Sequence, residues 1–336
     1  MTPPNSDSNE KEDYYALTPD TVLNALGAYG YDTDARNITL NSYENRVYQI
    51  GLNDANPVIA KFYRPGRWTN ECILEEHEFT QELSDHEIPV VAPIQHEGGE
   101  TLLNYQGYRF AVYPRRGGHA PEPGDLDQLA WLGRLIGRIH AVGAVKKFEH
   151  RPTLDVQSYA VEPVQLLIEK DFIPADLLPT FEAITSDLIK ELNSIFENHK
   201  SIANIRCHSD CHVGNILWVR DHGPHFVDFD DCRTGPAIQD LWMLLAGSRQ
   251  EQNLQISEVL DGYTQFFEFN AMELRLIEPL RTLRMIHYAG WLAKRWTDPA
   301  FPTSFPWFNT YGYWTQFINE LKEQMELINS EPLKWF

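Results

Sequence analysis

Residues 207–232, CHSDCHVGNILWVRDHGPHFVDFDDC, gather cysteine, histidine and aspartate around an apolar, strand-like stretch. Two chemistries compete for this pattern. As a metal cage, Cys207/Cys211 and His208/His212 are each spaced by four. A structural zinc site wants a second matching pair elsewhere, and Cys232, the distant candidate, has nothing beside it to complete one. The alternative reads His208-x-Asp210, then Asn215 five residues after the aspartate, then Asp228 at the end of the next strand. Phosphoryl transfer needs a carboxylate to orient and accept the proton of an incoming hydroxyl, and oxygen ligands to hold Mg²⁺ against nucleotide phosphates. Asp210 suits the first role, Asn215 and Asp228 the second. A solvated polar turn could supply any one of these residues, but the full spacing favours the phosphoryl-transfer reading.

That reading demands a phosphate-gripping lysine on a strand, partnered by a helical glutamate. Pro57-Val-Ile-Ala-Lys61-Phe-Tyr supplies the lysine, similar in pattern to the V-A-I-K strand of kinases. The following helix offers Glu75 and Glu76. Glu76 shares the inward stripe of Ile73, Thr80 and Leu83 and is the preferred partner. The preceding loop, LNSYENRVY (residues 40–48), lacks the glycines of a phosphate cradle, so Ser42 and Asn45 are the candidates to bond phosphate oxygens there. A plain hairpin turn explains that loop nearly as well.

The elements that must position these residues follow from periodicity and punctuation. Thr18-Pro19 starts a short helix ended by Gly27 or Gly30. Strands are predicted at Asn37–Leu40, Arg46–Leu52, Pro57–Tyr63, Thr101–Tyr105 and Tyr108–Tyr113, with a helix at Thr69–Asp85. Pro114-Arg-Arg-Gly-Gly118 breaks the composition and reads as a hinge. Beyond it the chain turns helical, first with Leu129, Leu132, Ile136 and Ile139 at helical spacing. More helices are predicted at 161–170, 175–199, 237–247, 251–268, 271–296 and 310–328. One hairpin, Asn215–Val219 with His225–Asp228, interrupts them. The expected organisation is a disordered tail (1–13), an ATP-binding lobe with hinge (14–115) and a catalytic and acceptor lobe (116–336).

A composition 43% hydrophobic supports a sizeable core, and a net charge of −20 argues against nucleic-acid binding. The amino terminus lacks a signal-peptide pattern and no apolar run approaches membrane-spanning length, so a cytoplasmic protein without membrane partners is expected. The four cysteines are read as small buried hydrophobes and His140 as a core residue.

The chain resembles the bacterial stress response kinase A family, in the aminoglycoside phosphotransferase/choline-kinase-like branch of the protein kinase-like fold. The resemblance rests on LNSYENRVYQI, KFYRPGRW, ILEEHEF, CHVGNILW, FVDFDD, GPAIQDLWMLL and RWTDPAFPTSFPW. It implies an α+β bilobed fold, with a small β-rich N-lobe and a larger mainly helical C-lobe. It also implies ATP- and Mg²⁺-dependent serine/threonine protein kinase activity in the stress response. Carried over by position, Asp210 becomes the proton acceptor, Asn215 and Asp228 the Mg²⁺ ligands, Ser42 an ATP-site residue and Lys61 the phosphate-binding lysine. Asp240, in QDLW, resembles the buried aspartate that braces the catalytic loop. One departure is Ser209, where the family has glycine; if that glycine uses a positive φ, serine is strained. Adenine is expected against Phe110–Tyr113, with Val112 and Tyr113 in contact. A monomer whose partners are ATP and protein substrates, itself included, is the resulting expectation. The competing expectation is a small-alcohol acceptor such as an aminoglycoside, choline or homoserine. Gln239 follows Asp228 by only eleven positions, too few for a phosphorylated activation loop.

Overall fold

Thr18 caps the first helix of the computed structural model, which describes residues 17–220 and 222–336. Its hydroxyl accepts the Thr21 N–H at 3.2 Å and Pro19 takes the first turn, so α1 (Pro19–Ala28) begins where the sequence predicts. The tail expected at residues 1–13 lies outside the described residues. The chain forms two compact units. Among the described residues, one holds 17–121 with 149–151, 214–220 and 222–230; the other holds 122–148, 152–213 and 231–336.

The first unit is built on a five-stranded antiparallel sheet, ordered β1 (Thr33–Thr39), β2 (Arg46–Leu52), β3 (Ala55–Phe62), β5 (Tyr108–Pro114), β4 (Leu103–Tyr105). Strand β1 starts four residues before the predicted Asn37. Ala35 at φ +67° and a register shift between Thr33 and Asn37 mark a bulge that hides the alternation. Along β3, Val58, Ala60 and Phe62 pack with Leu26 and Val22 of α1 and with Phe110 and Val112 of β5. The period of two then sends Lys61 to the opposite face, paired in register with Ala111. There α2 (Asn70–Asp85) buries a stripe that includes Ile73, Glu76, His77, Phe79 and Leu83, and Thr69 caps it by accepting the Cys72 N–H. The hairpin β7 (Ile216–Val219) and β8 (Gly223–Phe226) completes this unit. Strand β8 starts and ends two residues before the predicted His225 and Asp228, with Gly223 and Pro224 paired to Val219 and Trp218.

In the second unit α3 (Leu126–Gly143) crosses α7 (Arg249–Tyr263) at close range. A Cβ on Gly133 would stand 2.1 Å from the Val259 carbonyl oxygen, and one on Gly262 2.2 Å from that of Ala130. The helices α4 (Glu162–Glu169), α5 (Leu178–Asn198), α8 (Ile277–Arg295) and α10 (Tyr311–Ile328) match predicted spans, with small shifts at their ends. Predicted helix 237–247 is shorter: α6 covers Ile238–Leu241 and gives way to a 3₁₀ turn, Trp242–Leu244, before Leu245 turns extended. The start of 271–296 is likewise 3₁₀ through Leu276. The pair β6 (Asn204–Cys207) and β9 (Arg233–Pro236) was not anticipated; four residues each are too short to show alternation. The short helix α9 (Ala300–Ser304) joins the aromatic cluster of Phe301, Phe308 and Trp314, all buried. Among the described residues, no helix is long and apolar enough to cross a membrane.

One buried acid in this unit makes stability depend on pH. Glu273 accepts the Ile238 N–H at 2.9 Å, at the head of α6, and burial pushes its carboxyl up to about 7. The folded chain then holds a proton there that the unfolded chain releases near the ordinary value of 4.5. Stability from this group is present below about pH 4.5 and is lost as pH rises through 7, by up to about 3 kcal/mol. Glu273→Gln keeps an acceptor for Ile238 but cannot ionise. Chemical denaturation of both proteins from pH 5 to 8 should show the variant gaining on the parent as pH rises; a constant difference would contradict this.

Candidate active site

In the first unit the geometry centres on Lys61. Its Nζ lies 3.3 Å from Glu76 Oε1, 3.3 Å from Asp228 Oδ1 and 3.1 Å from Asp230 Oδ1. Burial works to discharge the amine, but Asp230, Glu76 and Asp228 outweigh it and hold Lys61 well above the ordinary lysine value. Arg67 pairs with Asp230, and Arg151 donates to the Asp230 carbonyl at 2.6 and 3.0 Å. Arg151 also lies 3.7 Å from Glu76 Oε2. Glu75, the other glutamate considered, accepts the backbone N–H groups of Glu149, His150 and Arg151 at 2.5–2.9 Å. Burial with the charges of Lys61 and Arg151 pushes His77 down to about 3, so it is a neutral hydrogen-bonding partner of Tyr63 (2.7 Å) and Thr101 (2.8 Å).

Asn215 closes a 3₁₀ turn and its carbonyl accepts the Val227 N–H at 3.0 Å, which sets it beside the segment that carries Asp228. Asp228 stands just past β8 at φ +61°, its side chain 55% exposed. Asn215 and Asp228 offer an amide and a carboxylate oxygen, donors that suit a hard divalent cation. Ser42 is half-buried in the β1–β2 loop. Asn45 is buried and turned inward: its Oδ1 accepts the Arg64 N–H at 3.1 Å, so it ties that loop to the end of β3. The Val112 carbonyl accepts the Ile94 N–H at 2.7 Å, and the Tyr113 hydroxyl bonds that of Tyr63 at 2.9 Å.

Asp210 belongs to the second unit. Its Oδ1 accepts Arg284 Nη1 at 2.5 Å, and His212 Nε2 lies 3.5 Å from Oδ2. Burial opposes the charge, yet the His212 hydrogen bond and the Arg284 charge hold this carboxyl far below the usual range. The backbone before it is fixed by Asp240, whose Oδ2 accepts the His208 N–H and whose Oδ1 accepts the Ser209 N–H, both at 2.7 Å. His140 links to Asp240 at 3.0 Å and to the Tyr263 hydroxyl at 2.8 Å. It is the buried residue expected, with the added task of orienting Asp240. His208 accepts the Asp210 N–H at 3.3 Å.

A metal cage on CHSDCH gains no support. Cys207 is buried with its Sγ turned to the backbone carbonyls of Ile205, Gly235 and Pro236. His140, Cys207 and Asp240 do converge, but His140 and Asp240 are engaged with each other and with the loop backbone. Sequence reading missed Asp230, Arg67, Arg151 and Arg284. The second aspartate of FVDFDD was a visible signal; Arg284, 74 residues from Asp210, left none.

The profile of the phosphotransferase enzyme family (APH) matches residues 38–275. Stress response kinase A of Escherichia coli (strain K12) is 44% identical over 327 residues, covering 97% of this chain and 98% of that protein. Serine/threonine protein kinase RdoA of Salmonella typhimurium (strain LT2) is 42% identical over 321 residues, 96% of each chain. Among solved structures, amicoumacin kinase hAmiN in complex with AMP-PNP, Ca²⁺ and Ami superposes with a TM-score of 0.72 at 20% identity, over 97% of this chain and 98% of that one. A microcompartment-associated aminopropanol kinase gives 0.65 at 16% identity, over 94% and 99%. The fold is the kinase-like one that the resemblance implies, with an antiparallel sheet in one unit and helices in the other.

Ser209 adopts φ +67°, the left-handed region anticipated for this position, and its hydroxyl is buried without a hydrogen-bond partner. Both features cost stability. Ser209→Gly should therefore raise unfolding free energy by about 0.5–1 kcal/mol, after the glycine's larger unfolded-state entropy is subtracted. A denaturation midpoint lowered by the substitution would show that Ser209 is not strained.

Proposed function

The chain belongs to the phosphotransferase enzyme family, in its stress response kinase A group, and from that premise we propose that it transfers the γ-phosphoryl group of ATP to serine or threonine hydroxyls of proteins. The observation that carries the phosphoryl-transfer reading is the ammonium of Lys61 set between Glu76 and Asp228. A lysine fixed in this way is a preorganised counter-charge for phosphate oxygens, and its preorganisation lets it act without reorganising as charge develops. Ser42 and the loop tied down by Asn45 border the phosphates, and adenine packs at the end of β5 near Val112 and Tyr113.

Asn215 and Asp228 are assigned as the Mg²⁺ ligands. Lys61, Arg67 and Arg151 already balance Glu76, Asp228 and Asp230 in charge. A polyphosphate added to that neutral set calls for a divalent cation. When bound, Mg²⁺ supplies charge neutralisation at the phosphate oxygens. Asp210 orients the acceptor hydroxyl and takes its proton; because the transition state is loose, positioning contributes more to the rate than this proton transfer. The protein acceptor and the stress role are supported by the near full-length likeness to the E. coli and Salmonella kinases. A small-alcohol acceptor is the competing reading, favoured by the kinases of amicoumacin and aminopropanol among the similar folds.

Labelled ATP and Mg²⁺ supplied with panels of proteins, peptides and small alcohols separate the two readings. Label in protein serine or threonine, the chain's own included, is the expected result; label confined to a small alcohol would establish the competitor. Asp210→Ala and Asp228→Ala should each lower transfer by at least about 100-fold while the fold is retained by circular dichroism. Parent-like turnover in either variant would remove that residue from its role.

A further inference from the structure

Resting on the reading above, in which Asp210 receives the acceptor hydroxyl, the surroundings of this carboxylate bear on which acceptors it takes. Arg284 reaches from α8 to Oδ1, and His212 faces Oδ2. Asp210 Oδ1 is thus held by a guanidinium, in a chain whose net charge is −20. The nearby Arg233 differs in its circumstances. It is buried, bound to Asp231 at 3.0 Å and laid over the Tyr159 ring at 4.9 Å, so its charge is spent within the fold. Tyr159 in turn stacks on His287 at 4.3 Å, and the Asp231 carboxylate beside it is taken by Arg233. The Arg284 side chain is 40% exposed while it holds Asp210.

An acceptor hydroxyl that reaches Asp210, at Oδ2 beside His212 or at Oδ1, comes next to the Arg284 guanidinium. A guanidinium has five N–H donors in a planar fork, and a carboxylate is the partner that engages two of them at once. An acceptor that brings its own carboxylate beside the hydroxyl can draw Arg284 toward itself and leave Asp210 to the hydroxyl. An acceptor carrying an ammonium meets the guanidinium as a like charge and competes with it for the Asp210 carboxylate.

We propose that Arg284 selects the acceptor: it pairs with Asp210 when no acceptor is bound and passes to an anionic group of the acceptor, so the chain favours serine or threonine flanked by acidic residues over cationic alcohols. Arg284 is a specificity and positioning residue in this account, since the proton goes to Asp210.

The test compares kcat/KM for one serine peptide made with glutamates or with lysines beside the serine, together with aminopropanol and a small hydroxy acid, for the parent, Arg284→Gln, Arg284→Lys and Arg284→Glu. The parent should prefer the glutamate peptide by at least about tenfold over the lysine peptide. Arg284→Gln should lose most of that preference through a raised KM for the glutamate peptide. Arg284→Lys should keep much of it, which separates charge from folding, and Arg284→Glu should turn it toward the lysine peptide. Equal use of both peptides by the parent, or an undiminished preference in Arg284→Gln, overturns the inference while phosphoryl transfer stands. Labelling of the small hydroxy acid in place of every peptide overturns the acidic-peptide acceptor, and labelling of aminopropanol in preference to the anionic acceptors overturns the selection itself. No label in any acceptor or in the chain itself, with folded protein, fails the phosphotransferase reading on which the inference rests.

Discussion

A lysine ammonium buried among carboxylates is the constraint around which the first unit is arranged. Removing such a charge from water costs several kcal/mol unless partners are fixed around it. Lys61 meets the requirement through three elements that are remote in sequence: β3 carries it, α2 brings Glu76, and the stretch after β8 brings Asp228 and Asp230. Each must keep its register. A one-residue slip in β3 would put Lys61 into the packed face beside Phe110 and expel Phe62 from it, and a shift of α2 would replace Glu76 with Glu75 or His77. Arg67 and Arg151 then keep the surplus carboxylates from repelling one another.

The second unit solves a different problem, which is to hold a short loop in a conformation its residues do not favour. Asp240 accepts two consecutive backbone N–H groups; His140 holds Asp240 and is itself held by the Tyr263 hydroxyl. With both N–H groups fixed, Ser209 stays in the left-handed region despite its Cβ. Asp228 in the first unit has the same kind of φ. Two acidic residues assigned to the chemistry thus sit on or beside strained backbone, which the surrounding hydrogen bonds maintain.

Much of this was legible from spacing. The likeness of PVIAKFY to a kinase lysine strand picked out Lys61, and the helical period chose Glu76 over Glu75, which instead caps a backbone turn. Asp210, Asn215 and Asp228 could be named because their local motif is dense. Asn45 was legible as a loop residue but not as an anchor, because the Arg64 N–H it binds is 19 residues away. Arg284, Arg151 and the β6–β9 pair were out of reach for the same reason: their partners lie 26 to 79 residues off, and nothing in local composition marks them. The short α6 was misjudged because LWMLLAG carries apolar residues at helical spacing while the chain turns extended at Leu245. What remained hidden was therefore mostly electrostatic pairing at long range, where residue type alone leaves many partners open.

The central claim is that Lys61 is held charged to receive nucleotide phosphates. Calorimetric titration of the parent and Lys61→Met with ATP and Mg²⁺, and with adenosine, addresses it directly. ATP affinity should fall by at least about tenfold in the variant, on the scale of losing a charge-assisted contact, with adenosine affinity unchanged. Equal ATP affinity in a folded Lys61→Met protein would contradict the account.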